Sequence, residues 1–154
     1  MTFFLKNIEA EADAVARFVE LLKQEQEALN SGDIERLDAL LQRKDEVTTE
    51  QGELAAHRNS WLAAGGFGVG RAGVEAWLAL HPAAPLAQQA WSQVLSLAEK
   101  ARELNRINGE IIQMRMLHNA QALEVLLGTS RQPNLYGPNG QSATQNSRRI
   151  NDAA

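Results

Sequence analysis

The sequence predicts an all-α protein: an elongated antiparallel helical bundle or coiled-coil hairpin of three long helices plus one short helix. Three observations support this fold class. Apolar residues recur at steps of three, four and seven along most of the chain, which is the period of a helix face. Hydrophobic residues make up 44% of the 154 residues, yet only 5% are aromatic. Glycine and proline are concentrated between the periodic runs, where they separate helices.

The first two helices are expected over residues 3–30 and 33–64. Between them, Gly32 supplies a helix stop, and the Asp33 carboxylate can accept the free amides of the next helical turn. Because this break is short, we expect the second helix to return antiparallel to the first. The second helix carries Lys44 and Gln51 at positions of interior type, so its seam is only partly apolar.

A glycine-rich segment follows and is expected to form a flexible hinge at about 65–70. A short helix over 72–80 carries Trp77, and a turn bounded by Pro82 and Pro85 leads into the last long helix, expected over 86–127. Gly128 ends that helix. Residues 1–128 are thus predicted to form one helical domain. Residues 129–154 are rich in Ser, Asn, Gln and Gly and predict a disordered C-terminal tail.

Composition and charge exclude several classes of protein. The chain has no cysteine, which removes disulfide scaffolds, thiolate zinc sites and cysteine nucleophiles. No apolar run approaches the roughly 20 residues that span a bilayer, and the acidic start is unlike a secretory signal. Residues 1–56 hold 6 Lys/Arg against 13 Asp/Glu, and no basic stripe for phosphates is present. We therefore expect a cytoplasmic protein that binds no nucleic acid and does not insert stably into a membrane.

The spacing Gly68-x-Gly70-x-x-Gly73 matches the dinucleotide-binding fingerprint by letter only. That motif works as the turn from a parallel strand into a helix, with an acidic residue about 20 positions later. Here a predicted helix precedes it, no strand is predicted, and position 93 is Gln93. The glycines are interpreted as a linker, and no cofactor is predicted.

Metal and hydrolase sites are no better supported. A di-iron bundle needs Glu-x-x-His on two helices, but the residues three before His57, His81 and His118 are Leu54, Leu78 and Arg115. Glu53 and His57 are better explained as an exposed pair one turn apart. The serines lie outside any nucleophile elbow. No catalytic residue and no metal ligand is predicted, so the chain is expected not to be an enzyme.

Polar residues interrupt the apolar face of the last helix, and two interpretations stay open. Asparagines at seam positions fix helix register and oligomeric state at some cost in stability. Alternatively, this stretch is a groove for another helix, whose partner and register the polar side chains select. The residues concerned are Asn105, Asn108, Arg115, His118 and Asn119, with Met114 and Met116 beside them as adaptable apolar contacts.

Three features carry a resemblance to a known family. They are the Ser31-Gly32-Asp33 break between two long helices, the segment Asn-Arg-Ile-Asn-Gly-Glu-Ile-Ile at 105–112, and Leu-Tyr-Gly-Pro-Asn-Gly-Gln at 135–141. Together they make the chain resemble the FlgN family of flagellar type III export chaperones over essentially its whole length.

The resemblance implies a cytosolic chaperone that binds the C-terminal helical regions of the hook-filament junction proteins FlgK and FlgL before their secretion. It further implies that Leu135 and Tyr136 in the tail dock on a component of the export gate or fold on the client. By the same analogy the client helix docks late on the last helix. The implied contact residues are Ile111, Ile112, Met116, Leu123 and Leu126.

A second hypothesis is a self-associating coiled-coil adaptor without catalytic activity. It predicts a stable homodimer that forms through the apolar stripes of residues 4–29 and 104–126.

Overall fold

The computed structural model describes residues 2–128 and contains four helices over that range. They are α1 (Thr2–Ser31), α2 (Ile34–Ala64), α3 (Gly70–Leu80) and α4 (Pro85–Leu127). The all-α prediction is confirmed, and the expected helix ends agree with the observed ones to within two residues. The chain divides into two compact units, Met1–Ile111 and Ile112–Ala154. The predicted tail at 129–154 lies outside the described residues.

α1 and α2 form an antiparallel hairpin. Gly32 adopts a positive φ of 70°, and the Asp33 side chain accepts a hydrogen bond from the Arg36 amide at 3.1 Å. These two residues end one helix and begin the next as the sequence predicts. Contacts across the hairpin pair residues 25 with 44, 17 with 50 and 11 with 58. One number falls as the other rises, which defines the antiparallel direction.

α4 runs parallel to α1 within the first unit. The N-terminal part of α1 shares a core cluster with the start of α4, and residues near 19–22 share another with residues near 101. Further on, Asn108 contacts Leu22 and Glu25. A separate cluster joins α1 and α2 through Leu21, Ala28, Leu40 and Val47. The apolar stripe of α1 therefore packs within the first unit, and Phe4, Ile8 and Leu22 are fully buried.

The short helix α3 closes one end of this unit with an aromatic cluster. The Phe4 ring lies 4.7 Å from Trp61 and 4.3 Å from Trp77, between ring centroids. Trp77 in turn stacks on His81 at 4.1 Å. Large aromatic side chains bury much apolar area each, so three helices are joined here by few residues.

The glycine-rich segment before α3 is a structured turn, not the flexible hinge that the sequence suggested. The Phe67 amide donates to the Leu62 carbonyl at 3.0 Å, and the Gly70 amide donates to Asn59 Oδ1 at 2.9 Å. The Phe67 ring packs against the aromatic core. Gly66, Gly68 and Gly70 have positive φ, the conformation that favours glycine. Their role is to let the chain turn tightly while Phe67 stays inside.

Candidate functional site

Along α4, apolar side chains follow two different helical registers. In the first unit, spacings of three and four residues produce one stripe that faces α1 and α2, which we call the bundle seam. Its members are buried or half-buried. They are Ala87, Ala90, Val94, Leu97, Ala101, Leu104, Asn108 and Ile111.

Beyond Ile111 the apolar spacing moves to the neighbouring register. We call this second set, at positions 112, 116, 119, 123 and 126, the docking stripe. Its four apolar members are exposed: Ile112 at 42%, Met116 at 66%, Leu123 at 55% and Leu126 at 82%. Its central member is Asn119, which is also exposed. Since consecutive residues of an α-helix are rotated by about 100°, the docking stripe does not continue the bundle seam.

Within the first unit, a side-chain hydrogen bond joins Asn108 of α4 to Glu25 of α1, six residues before α1 ends at Ser31. The docking stripe begins at Ile112, which is the first residue of the second unit.

The structure places the residues that family resemblance assigned to client binding in two environments. Ile112, Met116, Leu123 and Leu126 lie together on the docking stripe. Ile111 is half-buried, belongs to the bundle seam and is the last residue of the first unit. Leu135 and Tyr136 lie outside the described residues.

Other apolar residues of this stretch are also more than half exposed: Met114, Leu117, Val125 and Leu127. Sequence reasoning named Met114 as an adaptable contact but did not assign the other three to a binding surface. Of these, Leu127 borders the docking stripe because it follows Leu123 by one turn, a spacing visible in the sequence. The stretch 112–127 carries one arginine and one glutamate. Such a nearly uncharged surface favours apolar contact over electrostatic attraction, in contrast to the acidic hairpin of α1 and α2.

The structure separates the polar residues of α4 that sequence analysis grouped together. Asn108 is 1% exposed, and its amide donates to the Leu22 carbonyl at 2.9 Å and to Glu25 at 2.8 Å. The other Glu25 oxygen accepts from Lys44 at 2.8 Å. Asn105, Arg115, His118 and Asn119 are exposed. The register-fixing interpretation therefore fits Asn108, whereas the partner-groove interpretation stays open for the exposed residues.

One carboxyl of the first unit with a shifted pKa is buried. Burial raises the pKa of Glu11, while the Arg58 guanidinium and a hydrogen bond from Asn7 act in the opposite direction. Arg58 pairs directly with Glu11 and lies over the Trp91 ring, 5.3 Å from its centroid. A shifted pKa in an open cleft would suggest catalysis, but Glu11 is 6% exposed and held by its neighbours. We interpret it as part of the helix packing.

Two open grooves lie elsewhere on the first unit. One of about 290 Å³ is lined by Leu21, Val47 and charged side chains of α1 and α2. The other, of about 320 Å³, lies beside Phe3, His57 and Trp61. Over residues 2–128, no three histidine, aspartate or glutamate side chains are grouped closely enough to hold a metal ion. In the same range, no helix combines the length and the apolar character needed to cross a bilayer.

Comparison with known proteins gives consistent matches. Curated relatives described as flagella synthesis protein FlgN come from several bacteria. The chain is 43% identical to the Yersinia enterocolitica protein and 36% identical to the Escherichia coli protein, each over 56 residues. Those alignments span 36% of this chain and 37% and 40% of the two relatives. The Proteus mirabilis protein is 27% identical over 124 residues, which is 79% of this chain and 77% of that protein.

No solved structure matches the chain. The family model described as FlgN protein matches residues 1–144, which include all four helices and the docking stripe. On this evidence the chain belongs to the FlgN family.

Proposed function

We propose that this chain is a cytoplasmic flagellar export chaperone without catalytic turnover. It binds the C-terminal helical regions of FlgK and FlgL, prevents their premature assembly or degradation, and delivers them to the type III export gate. Membership of a family of flagella synthesis proteins supports the general role. The docking stripe supports the binding mode, because an amphipathic helix covers such a stripe well.

The observation that carries the proposal is the exposure of Ile112, Met116, Leu123 and Leu126 on one register of α4. Single exposed apolar residues are ordinary on protein surfaces, but several on one helix face are typical of an interaction site. Covering these side chains would remove apolar area from water at about 25 cal/mol per Å². Leu135 and Tyr136 are proposed to dock on the export gate.

The direct test is calorimetric titration of the full chain with the C-terminal region of FlgK and, separately, of FlgL at physiological salt. We expect saturable 1:1 binding to each. Absence of heat and of any shift in an orthogonal assay, with a chain shown to be folded, would contradict the proposal.

Charged substitutions locate the binding surface. The double variant Ile112→Lys/Leu123→Lys is expected to abolish client binding, because docking would bury two ammonium groups against apolar side chains. Its helicity should be preserved, since both positions are exposed. The matched control is Met114→Lys/Val125→Lys, which introduces the same charge at exposed positions outside the stripe. Titration of both variants, with circular dichroism as the folding check, measures the effect; equal binding by the two variants would exclude this surface.

Self-association through α4 is a second candidate, which the same exposed stripe supports. The other stripe that this hypothesis used, in residues 4–29, packs inside the first unit. Size exclusion with light scattering distinguishes the candidates. A stable dimer that excludes FlgK and FlgL regions would favour the adaptor function.

A further inference from the structure

The docking stripe has the spacing of a coiled-coil seam. Its residues 112, 116, 119, 123 and 126 are separated by four, three, four and three positions. This is the heptad pattern with which one helix packs its side chains between those of another. The stripe therefore fits a partner helix of about two heptads. It does not fit an extended peptide, whose alternate side chains would contact the surface.

The stripe is interrupted at its centre by Asn119. Ile112 precedes it by seven residues and Leu126 follows it by seven, so a helix that covers the stripe must also cover Asn119. An exposed amide is solvated by water, but burial without a hydrogen-bond partner is costly. A partner that offers only apolar side chains would pay that cost, whereas one with a matching polar group would not.

The first unit already contains a buried asparagine whose amide nitrogen is hydrogen-bonded to a neighbouring helix, although its Oδ1 has no partner among the described residues. About three turns earlier on α4, Asn108 lies in the bundle seam, where its amide donates to Glu25 and to the Leu22 carbonyl of α1. α4 therefore contains one buried asparagine, whose amide nitrogen is hydrogen-bonded within the chain, and one exposed asparagine.

We propose that Asn119 is a specificity-determining residue, which selects partner helices carrying a hydrogen-bonding side chain such as Asn, Gln or Ser opposite it. The occupant is a client helix with apolar heptads and one central polar residue. This inference rests on the proposed function, since it specifies the chemistry of the client at the same surface. It also predicts the register of docking, because sliding the client by one turn separates the two polar groups.

The experiment uses two designed helical peptides of two to three heptads. They share the same leucine seam and differ only at the central seam position, which is Asn in one and Leu in the other. A central position faces Asn119 whichever direction the peptide runs. Each peptide is titrated against the full-length chain, against Asn119→Leu and against Asn119→Ala. Gln121→Leu is the matched control, because it adds the same side chain at an exposed position outside the stripe.

We expect the unmodified chain to bind the Asn peptide on the order of tenfold more tightly than the Leu peptide. Asn119→Leu should reverse that preference, Asn119→Ala should abolish it, and Gln121→Leu should leave it unchanged. The same preference in the unmodified chain and in Asn119→Leu would overturn the inference. So would formation of a homodimer that excludes both peptides, because the occupant would then be a second copy.

The two proposals can fail separately. If the FlgK and FlgL regions bind but neither peptide does, the inference about Asn119 is overturned and the chaperone function stands. If the peptides show the predicted reversal but neither FlgK nor FlgL binds, the inference stands and the choice of clients is wrong.

Discussion

Glu11 and Arg58 show what single residues contribute to the contact between α1 and α2. Both are buried, and each is a charge that would be costly without the other. Exposed pairs on the same hairpin, such as Arg17 with Glu50, are screened by water and contribute little. The buried pair therefore fixes which residues of α1 and α2 face each other, and it contributes little to the net free energy of unfolding.

Glu11 should also affect how stability depends on pH. Burial raises the pKa of Glu11 above its ordinary value of 4.5, so the folded chain binds this proton at a pH where the unfolded chain has released it. The contribution of Glu11 to the free energy of unfolding therefore decreases as pH rises from about 4.5 through the raised pKa.

The variant Glu11→Gln removes this titration and keeps the shape of the side chain. Melting temperatures of both proteins between pH 4 and pH 7 provide the measurement. We expect the stability of the unmodified chain relative to the variant to fall across this range as pH rises. The pKa of Glu50 is lowered chiefly by its hydrogen bonds from Arg17. Glu50 titrates in both proteins, so its effect cancels in the difference between their stabilities. A relative stability that rises with pH would show that the attraction of Arg58 outweighs burial and lowers the pKa of Glu11.

Replacing the amide nitrogen of Asn108 by an oxygen should strongly lower the free energy of unfolding. In Asn108→Asp a carboxylate replaces the amide that donates to Glu25 at 2.8 Å, so two like charges meet in a buried site. We expect a loss of about 3–5 kcal/mol in the free energy of unfolding, measured in urea. Asn105→Asp, at an exposed position one turn earlier, is the control and should change stability by less than about 0.5 kcal/mol. Equal effects of the two substitutions would contradict the role of the buried network.

Among the elements, α3 packs closely at Gly73 against the backbone of the preceding turn and a side chain of α2. A Cβ atom there would lie 3.0 Å from the Gly68 carbonyl carbon and 3.3 Å from Leu62 Cδ1. Because the backbone of the turn cannot move away as a side chain can, Gly73→Ala should destabilise the fold by about 1–3 kcal/mol.

Gly52, unlike Gly73, has room for a side chain. It lies inside α2, and a Cβ atom there would meet nothing within 4 Å. Gly52→Ala should stabilise the fold by about 0.5–1 kcal/mol, since alanine loses less backbone entropy in a helix. Thermal unfolding of the two variants tests both expectations. The two substitutions are predicted to change the free energy of unfolding in opposite directions. If both destabilised the fold, packing around Gly52 would be closer than the structure shows.

At the scale of the whole molecule, residues 129–154 should be dispensable for the helical fold. The core clusters of the first unit use residues from Phe4 to Leu104. A chain that ends at Gly128 is expected to melt within about 3 °C of the full chain, which corresponds to less than about 1 kcal/mol. Calorimetric melting of both chains is the measurement. A larger drop would show that the tail contributes to the fold.

The exposed apolar stripe of α4 was only partly predictable from sequence. The apolar members of the stripe follow from their period, and that period is a local property of the helix. Ile111 and Ile112 are adjacent and chemically identical, so nothing local indicates that the first belongs to the bundle seam and the second to the docking stripe. That distinction depends on which side of α4 packs inside the first unit, where Ile111 is half-buried.

The sequence by itself determined the all-α fold, the ends of the helices and the class of surface to expect on α4. The apolar period, the Gly32–Asp33 break, and the prolines just before and at the start of α4 act within a few residues, so they can be recognised without knowing the fold. Only the tertiary structure decided that Phe67 anchors the glycine turn, that Lys44 pairs with Glu25, and that Asn108 is buried while Asn119 is exposed. These outcomes depend on contacts between residues as far apart as 25 and 108, and such contacts exist only once the helices have packed.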